Sequence, residues 1–215
     1  MKSSIPILNK SGRKPIFFWS DLHIGHNNSL TYDSRPFKNL DEMHTKLINN
    51  YNATVPENGV CYFLGDVGLS KTNVVAEVIN QMRGVKVCIL GNHDKNSTAM
   101  YAAGFDVVMN GAVLYISNQR VTLSHCPLKG VWRENTEGMV GSNSFNWHGE
   151  QKNSRFTFTD EGQFALHGHI HSPNGGKSQR ILGKQFDVGV CANKYCPVSI
   201  SVIESWIATY GKYKK

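Results

Sequence analysis

The sequence predicts an α/β fold built on crossover helices, and three observations carry that expectation. Apolar runs of strand length recur along the chain. Segments with helical spacing separate the first of them. After residue 105 the texture shifts to short strands and tight polar turns.

Ile16-Phe17-Phe18-Trp19-Ser20 is a continuous apolar strand stopped by Asp21, and a loop containing Pro36 follows. Asp41 to Asn52 then carries Met43, Leu47, Ile48 and Tyr51 at helical spacing, with Asn39 or Asp41 available as a cap. Val60 to Leu64 is a second buried strand, ended by Gly65-Asp66. Lys71 to Met82 returns to helical spacing through Val74, Val75, Val78, Ile79 and Met82, closed by Gly84. Val85 to Leu90 is the third strand and delivers Gly91-Asn92-His93-Asp94.

Beyond it, Val107 to Met109, Ala112 to Ile116 and Arg120 to Ser124 read as short strands joined by turns such as Asn110-Gly111 and Asn118-Gln119. Residues 127–162 are Gly-, Asn- and aromatic-rich with little periodicity, which predicts a long loop with some strand character over Arg155 to Thr159. Phe164 to Leu166 leads into Gly168-His169-Ile170-His171. Phe186 to Val190 is a further buried strand, and Val198 to Tyr210 closes as strand or amphipathic helix.

Composition narrows the function classes. With 215 residues, 40% apolar and 18% charged, the chain suits one globular domain over 1–215. Its apolar runs fall far short of a membrane span. Met1 to Lys14 is polar and lacks a signal-like apolar core, so the expected location is the cytoplasm. The five cysteines, 61, 88, 126, 191 and 196, form no Cys-x-x-Cys and read as reduced and structural; Cys126 is the one placed to lie near a functional site. The net charge of +7 favours anionic substrates, nucleotides or nucleic acid among them, although much of the excess sits at the two ends.

The chemistry lies at the strand ends. Asp21-Leu22-His23, Gly65-Asp66, Gly91-Asn92-His93-Asp94, His125 and Gly168-His169-Ile170-His171 follow apolar runs in order. Carboxylate, amide oxygen and neutral imidazole are the ligand types that neighbouring divalent transition metals take. In open α/β sheets, functional groups gather where strands end at their carboxyl side. An aspartate after a strand is by itself an ordinary turn former, and a lone histidine an ordinary surface or core residue. The ordered set of five motifs is what carries the signal.

That ordered set resembles the calcineurin-like metallophosphoesterase superfamily over residues 16–171. Arg35-Pro36-Phe37, the helix with Met43, and Asn49-Asn50-Tyr51-Asn52 resemble its small stand-alone bacterial and phage branch. The resemblance implies a two-sheet β-sandwich flanked by helices, in four αββα layers. It implies one metal on Asp21, His23, Asp66 and His171, and another on Asp66, Asn92, His125 and His169, with Asp66 bridging. It further implies in-line attack by a metal-bridging hydroxide, with His93 contacting the phosphate and protonating the leaving oxygen, and Asp94 orienting its loop. Ile24-Gly25 departs from the pattern, in which glycine directly follows the histidine.

His26 is placed to reach the phosphate or a carboxylate behind the metal ligands, and Arg35 to clamp a phosphate or to serve as a surface arginine before a turn. His44 reads as structural, and His148 and His167 as histidines that are not ligands. Imidazole-rich sites suit Mn, Fe, Co, Ni or Zn, with Mn expected to give the highest activity. The leading substrate is a small phosphomonoester, a nucleoside or deoxynucleoside monophosphate, because the chain has little surface beyond its core to grip a polymer. A phosphodiesterase or nuclease on the same metals is the first rival, and a non-catalytic interaction scaffold the second. In the 127–162 loop, which both ends pin to the site, Trp132 and Trp147 are placed to stack a nucleobase, with packing the loop as their other reading.

Overall fold

The computed structural model describes residues 14–128, 158–172 and 184–211. In chain order the elements are β1 (Ile16–Trp19), α1 (Asn28–Tyr32), α2 (Leu40–Thr54), β2 (Val60–Leu64), α3 (Thr72–Ile79), β3 (Val85–Ile89), α4 (Ser97–Ala102) and β4 (Val107–Met109). Then come β5 (Ala112–Ile116), β6 (Gln119–Leu123), β7 (Phe164–His167), β8 (Gln185–Asp187), β9 (Val198–Ser199) and α5 (Ile200–Gly211).

Two sheets result, packed face to face and flanked by helices. The first has the order β4-β3-β2-β1-β9, parallel except for β9; the second has the order β5-β6-β7-β8. In the second, β5 and β6 are antiparallel, and β6, β7 and β8 run parallel. Strand alternation explains the layering. Phe17 and Trp19 turn to one side of the first sheet, where they meet Cys61, Phe63 and Cys88 and the helix residues Met43, Leu47, Tyr51, Val75, Ile79 and Met100. Phe18 turns to the other, joining Tyr62, Leu64, Val87 and Ile89 against Leu114, Val121, Leu123, Phe164 and Leu166 of the second sheet. Ile203, Trp206 and Ile207 of α5 fill the same layer.

Trp19, Tyr51 and Phe63 are fully buried, with ring centroids 5.5 to 6.0 Å apart. Truncating such a ring to alanine costs about 3–5 kcal/mol. Asn39 caps α2 as expected, its side chain accepting the Glu42 N–H at 2.9 Å while Glu42 accepts the Lys38 N–H at 2.7 Å.

Several expectations change. α3 stops at Ile79 rather than Met82. β4 and β5 belong to different sheets, so Asn110-Gly111 is a crossing between sheets and not a hairpin. The β5–β6 turn is centred on Ser117 and Asn118, both left-handed at φ 49° and 61°, as a two-residue hairpin requires. Val198 to Tyr210 contains both alternatives, a two-residue strand and then a helix. α1 and α4 were not expected, since neither is long enough to show a helical period. No helix among the described residues is long and apolar enough to cross a membrane.

Candidate metal centre

β1, β2, β3, β6 and β7 each end beside the same point, and their next residues turn inward. The β1–β2 pairing continues past the strands as an irregular ladder. Asp21 N–H donates to Gly65 O at 3.0 Å, His23 N–H to Asp66 O at 3.0 Å and Ile24 N–H to Val67 O at 2.9 Å. Along it Asp21, His23 and Asp66 adopt left-handed backbone, at φ 60°, 55° and 51°. His169 and His171 do the same at 70° and 44°. Such conformations cost non-glycine residues about 1–3 kcal/mol each and cluster at functional sites. Gly65, at φ 83°, admits no side chain, because a Cβ there would stand 2.6 Å from both His125 Nδ1 and Gly91 Cα.

Buried hydrogen bonds hold the loops. The Asp94 carboxylate accepts from the N–H groups of Asp66 (3.0 Å), Val67 (2.9 Å) and Gly91 (2.8 Å), the loop-orienting role expected of it. Ser20 Oγ donates to Leu64 O at 2.7 Å. His169 N–H donates to the Asp21 carboxylate at 2.9 Å, tying the second sheet to the first.

Two sets of donor atoms meet at Asp66. In the first, one ligand atom each from Asp21, His23, Asp66 and His171 lies within 4.8 Å of the others. His23 Nε2 is 3.0 Å from His171 Nε2 and 3.7 Å from Asp66 Oδ2, and His171 Nε2 is 3.5 Å from Asp21 Oδ1. In the second, His125 Nε2 is 2.9 Å from Asn92 Oδ1, 3.1 Å from His169 Nδ1 and 3.3 Å from Asp66 Oδ1. Cys126 offers its sulfur within 4.8 Å of ring nitrogens of His125 and His169, so it does lie beside the site. The donor chemistry, carboxylate and amide oxygens with imidazole nitrogens at crowded short range, fits divalent transition-metal ions. The site is thus a buried His/Asp cluster able to hold metal ions.

The outward ring nitrogens fix how the rings are turned. His125 Nδ1 donates to Leu64 O at 2.8 Å, and His171 Nδ1 donates to Asp33 Oδ1 at 2.8 Å, leaving both Nε2 atoms to face the cluster. His23 Nδ1 pairs with His26 Nδ1 at 3.2 Å, so His26 sits behind a cluster histidine. His93 extends to the open side, with its side chain 41% exposed and its Nε2 3.9 Å from Asp66 Oδ2.

Charge is already balanced inside the cluster. Burial would raise Asp21 and Asp66, but neighbouring histidines outweigh it: His171, through a hydrogen bond and its charge, holds Asp21 far below the carboxylate range, and His125 holds Asp66 at about 2. Burial would lower His171 and His125, but Asp21 and then Asp33 raise His171 to about 10, and Asp66 raises His125 to about 9. Burial takes His23 down to about 3 and, with the His125 charge, His169 to about 4. Burial and then the Asp66 charge push Asp94 up to about 6.

Two other histidines, His44 and His167, lie outside both donor sets, as expected. His44 Nε2 accepts the Gly25 N–H at 3.1 Å, and the fully buried His167 donates from Nδ1 to Gly168 O at 2.9 Å. Arg35 corrects an expectation. Its side chain is wholly buried, and all five of its N–H groups are engaged: by Asp33 Oδ2 (3.0 and 2.9 Å), Leu22 O (2.8 Å), Asp21 O (2.9 Å) and Met43 Sδ (3.5 Å). No donor is left to clamp a phosphate, and it is no surface residue. Asp33 was missed altogether. Trp132, Trp147 and His148, with most of the 127–162 loop, lie outside the described residues.

No family model matches the chain. It is 42% identical over 84 residues to the uncharacterized protein MJ1445 of Methanocaldococcus jannaschii, a match covering 38% of this chain. The chain spans about half of that relative, 48% of its length. It is 27% identical over 195 residues to the gene 66 protein of Mycobacterium phage L5, covering 82% of this chain and 86% of the phage protein. Among solved structures, a protein of unknown function from Aquifex aeolicus shares the fold, with a TM-score of 0.64, 20% identity and coverage of 90% of this chain and 100% of that one.

Proposed function

We propose that the protein is a binuclear metal-dependent phosphoesterase of the calcineurin-like kind, hydrolysing a phosphomonoester and foremost a nucleoside or deoxynucleoside monophosphate. The observation supporting this reading is the convergence of Asp21, His23, Asp66, Asn92, His125, His169 and His171 in two sets that share Asp66. Asp66 turns one oxygen to each set, as a bridging carboxylate must. Two divalent ions held there by these residues would supply Lewis acidity to a phosphoryl group and a nucleophile at neutral pH, with Mn²⁺ the first ion to try. The chain supplies the rest. Asp94 fixes the Asp66 loop through three N–H groups, and His93, exposed beside Asp66, is placed to carry a proton to a leaving oxygen.

A second reading, a phosphodiesterase or nuclease, is favoured by the net charge of +7. The test is a panel after reconstitution with Mn²⁺: a nucleoside monophosphate, a bis-aryl phosphate and single-stranded DNA. The highest kcat/KM is expected on the monophosphate. Preference for the diester or DNA selects the second reading, and metal binding without turnover on any of them returns the chain to a scaffold. If Trp132 or Trp147 reads a base, its change to Ala raises KM for the nucleotide by about five- to a hundredfold and spares an aryl phosphate.

A further inference from the structure

His171 enters the cluster from the segment that follows β7. It is left-handed at φ 44° and follows the end of β7 by only four residues. What holds its ring is Asp33, which follows α1 and accepts the His171 Nδ1–H at 2.8 Å on Oδ1. The other Asp33 oxygen accepts from Arg35 Nε at 3.0 Å and Nη2 at 2.9 Å. The same guanidinium also donates to the carbonyls of Asp21 and Leu22 at 2.9 and 2.8 Å. One buried arginine therefore grips both the carboxylate behind His171 and the backbone of Asp21, and both of those residues belong to the first set.

The second set is supported differently. His125 Nδ1 donates to the neutral carbonyl of Leu64 at 2.8 Å, while Asp94 fixes the Asp66 loop that both sets share. A carboxylate behind an imidazole makes the ring a stronger donor and locks its orientation, whereas a carbonyl does chiefly the second.

We propose that Asp33, clamped by Arg35, is a positioning residue for His171 that makes the two metal pockets unequal, with the Asp21/His23/His171 pocket dependent on it and the Asn92/His125/His169 pocket not. The inference rests on the proposed two-metal site. It assigns a task to a residue whose sequence neighbourhood carries no metal-binding signature.

The test is a Mn²⁺ titration of the full chain by calorimetry with chelator competition, comparing the native protein with Asp33→Asn. Native protein is expected to bind two ions. Asp33→Asn is expected to weaken one step by about 10–100-fold and leave the other within about twofold, since loss of such a supporting group typically costs that much affinity. Unchanged binding, or equal weakening of both steps, overturns the proposal. If Asp33→Asn does not fold, Asp33→Glu, which keeps the charge opposite Arg35 but displaces the accepting oxygen, is expected to show the same one-step loss; unchanged or equally weakened steps there overturn it too. Imidazole ¹⁵N spectra of native protein give a readout independent of metal: His171 is expected to carry a proton on Nδ1, in the imidazolium and in the neutral ring alike, and a neutral ring protonated on Nε2 alone overturns the proposal. Native protein that binds no Mn²⁺ refutes the two-metal reading itself, and the pocket inequality with it.

Discussion

The backbone N–H of His93 donates to Oδ1 of Asp66 at 2.9 Å, while the His93 imidazole stands 3.9 Å from Oδ2 of the same carboxylate. The imidazole proposed to carry a proton to the leaving oxygen is thus anchored, through its own backbone, on the carboxylate that joins the two donor sets. Changes at either should separate metal binding from proton transfer.

Asp66→Asn is expected to abolish turnover and reduce bound metal from two ions to one or none, because the shared carboxylate loses its charge between the two sets. Elemental analysis after gel filtration, alongside turnover, checks this. Two retained ions with near-native activity would remove Asp66 from its bridging role.

His93→Asn is expected to keep both ions and the fold, since the backbone N–H that meets Asp66 survives. Turnover of an alkyl phosphate should fall by ~10²–10⁴-fold, the usual contribution of a general acid, and less for an aryl phosphate whose leaving group needs no proton. An equal fall for both would assign His93 to phosphate positioning.

Gly168→Ala is expected to damage the site without replacing any of its donor residues. A Cβ at this position would collide with Ser20 Oγ and Asp21 Oδ2. Overpacking of this kind costs about 1–3 kcal/mol. Chemical denaturation should report that loss together with weaker metal retention; a native midpoint and native metal content would show that the strand ends can spread.

After chelation, pH should act through His125 and His171, whose folded values are raised to about 9 and about 10. A raised histidine stabilises the fold fully below its unfolded value of about 6.5, and that stability is lost as pH climbs through the folded value. His23 and His169, lowered by burial to about 3 and about 4, act oppositely, withdrawing stability as pH falls below about 6.5. Melting temperatures of the chelated chain should therefore peak near neutrality and decline toward pH 10. Metal taken up through the Nε2 atoms of these two rings would displace a proton from each, so calorimetry in buffers of different ionisation enthalpy should record proton release near pH 7. A flat melting profile with no proton release would contradict this charge state.

The strand ends were legible because each cluster residue directly follows, or nearly follows, an apolar run long enough to be a strand. β2, buried at every position, is the clearest case. The division into two sheets was not legible from local pattern, since Asn110-Gly111 has the composition of a hairpin turn wherever its flanking strands pair. Arg35 and Asp33 were hidden for a different reason. The partner that gives Asp33 its role, His171, is 138 positions away, and neither helical nor strand periodicity encodes such a contact. Arginine before proline looks like surface until the carbonyls that enclose it are known.

The pairing of His23 with His171 spans 148 residues. During synthesis, a chain that has formed the first four parallel strands presents Asp21, His23, Asp66 and Asn92 with no histidine from the second sheet to close the pocket. Only when β7 has docked beside β6 do His169 and His171 arrive. On the two-metal reading, ion capture would mark the end of folding rather than its beginning, and the rate at which full metal affinity appears during refolding would be a clock for the long-range assembly of the two sheets.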